Sequence, residues 1–179
     1  EATQLKWIHL PSAGADRYVH SQLLRDRGVT VTNSSGVFGI PISEHVMALL
    51  LALTRQVHTF VRAQGEREWV TGGNLDELYE KTIGILGLGD IGSHTARRAK
   101  AFGMKVLGMK RNPGAKPDYV DELFGPDGLD HIIENSDVLA ICLPGTSGTR
   151  HMINRERLFS MKPGSYLINI GRGSIIDEE

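Results

Sequence analysis

Gly87-Leu88-Gly89-Asp90-Ile91-Gly92 stands directly after the apolar run Thr82-Ile83-Gly84-Ile85-Leu86 and directly before a stretch with helical spacing. By itself such a spacing marks only a glycine-rich turn, but between a strand and a helix it has a specific physical use. The first glycine permits a tight turn, the second lets backbone N–H groups approach a pyrophosphate, and Gly92 lets the helix pack closely on the sheet. The helix would then aim the partial positive charge of its N-terminus at the anion. The motif therefore predicts a dinucleotide cradle, with Gly87, Gly89, Asp90, Ile91 and Gly92 as cofactor-contacting residues.

The surrounding pattern agrees with this reading. Strands are expected at Thr82 to Leu86, Lys105 to Met109, Val138 to Leu143 and Tyr166 to Ile170. Helices are expected at Ile91 to Phe102, closed by Gly103, and at Leu129 to Glu134 and Arg155 to Met161. Short apolar strands alternating with helices imply a parallel sheet covered on both faces, an α/β doubly wound, Rossmann-type fold. Upstream, Leu5 to Leu10 reads as a strand, Arg17 to Arg27 as one helix ended by Gly28, and Val29 to Thr32 as a further strand. Between the two regions a long helix is expected from about Pro41, because Ile42, Val46, Leu49, Leu50, Leu53, Val57 and Phe60 recur at helical intervals. Its wide apolar stripe suits either core packing or a subunit contact, and the residues alone favour the core.

Composition removes several classes of function. A formal net charge of −1 gives no electrostatic reason to expect a nucleic acid. The longest unbroken apolar run, Val46 to Leu53, is far short of the ~20 residues of a membrane span. One cysteine, Cys142, has no partner in the chain for a disulfide, and a reducing, cytoplasmic setting is expected. In an apolar strand it reads as an inert thiol. No HExxH, CxxC or clustered carboxylate pattern suggests a metal. Both ends read as cut, so a fragment is expected.

The group that reads the adenosine ribose is expected about 20 residues beyond the glycines, and is an Asp or Glu when the cofactor is NAD. Here the positions hold Met109-Lys110-Arg111-Asn112. Lys110 and Arg111 suit a ribose 2′-phosphate, Arg111 through a planar fork of donors. NADP is therefore expected in preference to NAD, which is the alternative. The other reading is two solvated charges at a strand end.

Three further stretches carry a family resemblance. Lys162-Pro163-Gly164-Ser165-Tyr166-Leu167-Ile168-Asn169-Ile170-Gly171-Arg172-Gly173-Ser174-Ile175-Ile176-Asp177 resembles the signature strand and loop of the D-isomer-specific 2-hydroxyacid dehydrogenases, of the glyoxylate/hydroxypyruvate reductase kind. Cys142-Leu143-Pro144-Gly145-Thr146, with Thr149 and His151, is similar to that family's loop beside the cofactor. Ala13-Gly14-Ala15-Asp16 and Ser43-Glu44-His45 resemble its earlier landmarks.

The resemblance implies hydride transfer between NAD(P)H and a small 2-keto or 2-hydroxy acid, with Leu143, Pro144, Thr149 and Ile170 added to the cofactor contacts. It implies a catalytic role for Arg172, which chemistry also supports. A guanidinium between two glycines at the C-terminal end of a strand can bind a carboxylate and stabilise charge developing on a carbonyl oxygen. The glutamate and histidine of the family lie beyond this arginine, so His9, His20, His45, His58, His94, His131 and His151 are not assigned to acid/base work. The implied organisation is residues 1–39 as the tail of a smaller, flavodoxin-like substrate domain, 40–72 as an interdomain or dimerisation helix, and 73–179 as an incomplete Rossmann domain. A homodimer is expected. The alternative function is a dinucleotide-sensing binding protein resembling the C-terminal-binding-protein corepressors.

Overall fold

In a computed structural model, which describes residues 4–179 with the side chains of Arg17 and Val19 excepted, five short strands pair into one parallel sheet. They are β3 (Thr82–Leu86), β4 (Lys105–Met109), β5 (Glu122–Phe124), β6 (Val138–Ile141) and β7 (Tyr166–Asn169), preceded in the chain by β1 (Trp7–Leu10) and β2 (Thr30–Asn33). Their order across the sheet is β5-β4-β3-β6-β7. The central strands read as continuous apolar runs because both of their faces are covered. Ile83, Ile85, Val106, Val138 and Ala140 point to one face, where they meet Val46, Met47, Leu50, Ala96 and Ala99. Leu86, Leu107, Met109, Leu139 and Ile141 point to the other and meet Leu129, Ile132, Ile133, Ile153 and Ile175. Two-residue alternation thus divides one sheet between two cores.

The first face is covered by α3 (Gly39–Thr54) and α5 (Asp90–Ala101), which pack on each other, and the second by α6 (Leu129–Asn135). The rest of the helices are α1 (Asp16–Val19), α2 (Gln22–Asp26), α4 (Val57–Glu66) and α7 (Arg155–Ser160). The chain divides into two compact units, the first ending at Phe38 and the second Gly39–Glu179. In the first unit β1 and β2 form a parallel pair in the register Trp7↔Thr30. No helix among the described residues is long and apolar enough to cross a membrane.

Four features depart from the sequence reading. The long helix expected to run through Phe60 is interrupted between α3 and α4, where Gln56 is left-handed at φ 52°. The Thr54 carbonyl accepts the Asp76 N–H at 2.9 Å, and the Gln56 amide donates to the Asn74 carbonyl at 3.2 Å. A distant loop thus caps the helix, and periodicity alone carries no sign of it. The single helix expected over Arg17 to Arg27 is divided at Ser21, whose hydroxyl accepts the Leu24 N–H and starts α2. β5 was not expected: three residues are too few to display an alternation, and its place comes from pairing with β4 in the register Leu107↔Glu122. Beyond the strand expected to end at Ile170, a 3-10 turn at Gly173–Ile175 leads into a parallel bridge between Ile153 and Ile176, a pairing that was not expected.

Asp137 ties the N-terminal edge of the sheet together. Its carboxylate accepts the Thr82 N–H at 2.7 Å and the Lys162 ammonium at 2.9 Å, while its backbone bonds both Thr82 and Tyr166. Burial raises its pKa, but the amide, the ammonium and Lys81 outweigh that and hold it below the ordinary value of 3.8. A lowered carboxylate pKa contributes stability above that value, which is lost as pH falls through the folded pKa. Asp137→Asn is expected to cost roughly 1–3 kcal/mol in urea unfolding at neutral pH. The gap from wild type should narrow below pH 3.8, and a gap independent of pH would contradict the ion pair's role.

Candidate functional site

All five strands of the larger sheet run the same way, so every loop that follows a strand emerges on one edge. From β3 the chain winds outward through β4 and β5, then returns to β6 and winds the other way. The reversal between β3 and β6 is the topological switch point at which open α/β sheets bind ligands. The glycine loop leaves β3 at this point and the 142–149 loop leaves β6 beside it.

The glycines have three distinct roles. Gly87 has φ 100°, and a Cβ there would lie 2.9 Å from the Cys142 carbonyl oxygen. Its amide and that of Leu88 both donate to the Met109 carbonyl at 3.1 Å, which ties the loop to β4. At Gly92 a Cβ would collide with the Gly87 carbonyl oxygen, so only glycine lets α5 start this close to the strand. Gly89 differs from both: a Cβ would meet nothing within 4 Å. It caps α5 without a side-chain hydrogen bond; its carbonyl accepts the Ser93 N–H at 2.9 Å, and no cap side chain occupies the amides before that. This open cradle, lined by backbone donors at a positive helix end, fits a pyrophosphate.

The remaining sequence-derived candidates fall around the same edge. Asp90 and Ile91 open α5; the Asp90 carboxylate lies 3.8 Å from His94 Nε2. Leu88, by contrast, is buried in the core, over Gly108. Lys110 and Arg111 follow β4 and are exposed, with no carboxylate paired to either among the described residues. Leu143 is half-buried and Pro144 exposed, both directly after β6, and Ile170 follows β7 with its amide donating to the Ile141 carbonyl at 3.1 Å. Thr149 is placed otherwise: it is buried, and its hydroxyl bonds the Pro144 carbonyl at 2.7 Å.

Arg172 is half-buried just beyond β7. Its guanidinium donates to the Gly171 carbonyl at 2.9 Å. The Asn169 side chain holds the turn from both sides, accepting the Gly171 N–H at 3.0 Å and donating to the Arg172 carbonyl at 3.0 Å. A Cβ on Gly171 would press on the Leu143 carbonyl oxygen, and one on Gly145 would stand 3.0 Å from Arg172 Cγ. The β6 and β7 loops are therefore in contact. Asn169 and Gly145 were not among the expected site residues, although Asn169 stands in the quoted signature three positions before the arginine. Gly145 stands in the stretch similar to the family's cofactor loop, but its contact with Arg172 appears only when two loops distant in sequence meet.

His151 is left-handed at φ 51° and its ring nitrogen lies 3.6 Å from Asp177. Burial pushes the Cys142 thiol up to about 12, which leaves it protonated and unreactive. The described residues contain no group of three or more His, Cys, Asp or Glu able to hold a metal ion.

A doubly wound parallel sheet with a glycine cradle at its switch point defines a dinucleotide-binding protein. Residues 47–179 match the family model described as the NAD binding domain of D-isomer specific 2-hydroxyacid dehydrogenase. The chain belongs to this family. It is 35% identical over 98% of its length to a hydroxypyruvate reductase of Thermotoga maritima, and covers 56% of that protein. It is 37% identical over 99% of its length to glyoxylate/hydroxypyruvate reductase B of Pectobacterium atrosepticum, covering 57% of it. Among solved structures, a D-isomer specific 2-hydroxyacid dehydrogenase family protein from Aeromonas salmonicida superposes with a TM-score of 0.89 at 36% identity, over 99% of this chain and 56% of the other. The chain spans little more than half the length of these relatives.

The different roles of the glycines separate binding from folding. Gly89→Ala is expected to leave the unfolding midpoint nearly unchanged, because the residue's φ of −81° suits alanine, while weakening NADH binding at least about tenfold. Gly92→Ala is expected to destabilise the fold by roughly 1–3 kcal/mol through overpacking. Equal effects of the two on fluorescence-detected NADH binding and on Tm would contradict this division.

Proposed function

We propose that the protein carrying this chain reduces small 2-keto acids of the glyoxylate and hydroxypyruvate type with a nicotinamide dinucleotide. The observation that carries the proposal is the placement of Arg172, a guanidinium set at the C-terminal end of β7 and braced from the loop of β6, on the edge that also bears the glycine cradle. The relatives' names as hydroxypyruvate and glyoxylate/hydroxypyruvate reductases support the substrate class.

Gly87, Gly89, Asp90, Ile91 and Gly92 would hold the pyrophosphate, and Leu143, Pro144 and Ile170 would flank the rest of the dinucleotide. The bound cofactor supplies the hydride. Arg172 orients the keto acid by hydrogen bonds to its carboxylate and carbonyl oxygens, and its charge stabilises the negative oxygen that develops. Lys110 and Arg111 select NADP over NAD by pairing with the 2′-phosphate. Proton donation is assigned to residues of the complete protein beyond Arg172, not to any of the seven histidines here.

Residues 1–39 are proposed as the tail of the substrate domain and 40–72 as a dimerisation segment. In support of a homodimer, Leu49 and Leu53 of α3 and Val57 and Val61 of α4 leave apolar side chains exposed. A cytoplasmic setting is proposed on the single cysteine. The alternative of a dinucleotide-sensing corepressor has no comparable support, since the relatives above are named as reductases.

Purified complete protein should oxidise NADPH in the presence of hydroxypyruvate or glyoxylate. Activity should fall in the order Arg172, Lys, Ala, with most of the loss in kcat/KM for the keto acid, because lysine keeps the charge but not the two-pronged geometry. Absence of substrate-dependent oxidation, or near-normal kcat/KM in Arg172→Ala, would overturn the proposal.

Cofactor choice is separately measurable on this chain. One charge-assisted contact is worth roughly 1.5–3 kcal/mol, so NADPH should bind at least about tenfold more tightly than NADH. Arg111→Ala should abolish most of that preference, and rising salt should shrink it. Equal Kd values for the two cofactors in the wild type would leave Lys110 and Arg111 as solvated surface charges.

A further inference from the structure

The loop between β6 and α7 is closed by a buried hydroxyl. Thr149 is 6% exposed, and its Oγ1 donates to the Pro144 carbonyl at 2.7 Å while accepting the Thr146 N–H at 2.9 Å. The Thr146 carbonyl in turn accepts the amides of Thr149 and Arg150 at 3.1 and 3.0 Å. Gly145 lies between the two residues that this hydroxyl clasps. A Cβ on Gly145 would stand 3.0, 3.5 and 3.9 Å from Cγ, Cβ and Cδ of Arg172, so the backbone at 145 lies flat along the aliphatic stem of the arginine. On its other side the arginine's main chain is held by Asn169.

We infer that Thr149 is a positioning residue for Arg172: by locking the 144–149 turn, its hydroxyl presents Gly145 as a wall against the arginine stem and so sets where the guanidinium meets the keto acid. This rests on the reading of Arg172 as the carboxylate-binding group. A contact between the Thr149 hydroxyl and dinucleotide would require it to turn outward, whereas it donates to the Pro144 carbonyl and accepts the Thr146 N–H, with the Thr146 hydroxyl 3.1 Å away. Valine keeps the volume of threonine but loses both bonds and strands the Thr146 N–H, so the turn loses its lock without a cavity forming. Serine keeps the hydroxyl. Gly145→Ala perturbs the arginine stem directly, without touching the clasp.

The test uses the complete protein and measures kcat and KM for hydroxypyruvate together with Kd for NADPH. Thr149→Val, Thr149→Ser and Gly145→Ala are each made in the wild-type and Arg172→Ala backgrounds. Small displacements of a substrate-orienting group cost up to about 100-fold. Thr149→Val and Gly145→Ala are therefore expected to raise KM for the keto acid about tenfold and lower kcat, with Kd for NADPH changed by a smaller factor, since Pro144 of the same turn would flank the dinucleotide. Thr149→Ser should recover to within about threefold of wild type. Because the effect passes through Arg172, Thr149→Val and Gly145→Ala should have no further effect in Arg172→Ala. Additive losses in that background, or a tenfold weaker Kd for NADPH with keto-acid kinetics intact, would overturn the inference. If Arg172→Ala alone left KM and kcat unchanged, the reading of the arginine itself would fall, a result distinguishable from the first. Should Thr149→Val not fold, Gly145→Ala carries the same comparison.

Discussion

A strand buried on both faces can satisfy its backbone only in its two neighbours, and β3 meets that requirement by pairing in parallel with β4 and β6 along nearly its whole length. The rest of the second unit follows from that constraint. Parallel partners cannot be joined by tight hairpins, so each connection crosses a face of the sheet and carries a helix or a long loop. Two sets of inward side chains then fill two cores, and every strand ends on the same edge. Where β3 gives way to chain running in two directions, no connection bridges the gap above the strand ends. The ligand edge is thus a consequence of how one strand is hydrogen-bonded.

That edge is prepared by backbone more than by side chains. Gly87 and Gly92 place the start of α5 against the loop with no room for a β carbon, while Gly89 leaves space in front of the helix end. A Cβ at Gly87 or Gly92 would press on a backbone carbonyl, so a substitution there should cost more than at an ordinary turn glycine. Gly28, by contrast, is left-handed at φ 62° with nothing near its missing Cβ, and serves only to end a helix.

The sequence was most legible where pattern and local chemistry coincide. The bounds expected for β3 and β4 match those observed, because each is an apolar run between clear breaks. The glycine loop was readable for the same reason. What escaped depended on contacts between remote segments: β5 exists because β4 offers an edge, and α3 stops because Asp76 supplies an amide to Thr54. The site divides in the same way. Arg172 and the glycines could be singled out from local motifs, but the clasp at Thr149 and the wall at Gly145 become visible only when the β6 and β7 loops are brought together. The resemblance that makes Thr149 a cofactor contact carries no information on which way its hydroxyl turns, and in the structure it turns to the Pro144 carbonyl.

The cations of this edge are held in opposite ways, and the difference fits the work proposed for each. Arg172 is half-buried, its main chain fixed by Asn169 and its stem laid against Gly145. A group that must meet two oxygens of a small substrate at fixed angles gains from losing its freedom before the substrate arrives. Lys110 and Arg111 are exposed beyond β4 with no paired carboxylate among the described residues. A ribose phosphate presents a diffuse double charge that many side-chain conformations can meet, so bracing there would add little discrimination. Charge alone would select the nucleotide, whereas geometry has to be built for the keto acid. That geometry needs both the fork of the guanidinium and the hydrogen bonds within two loops that hold it in place.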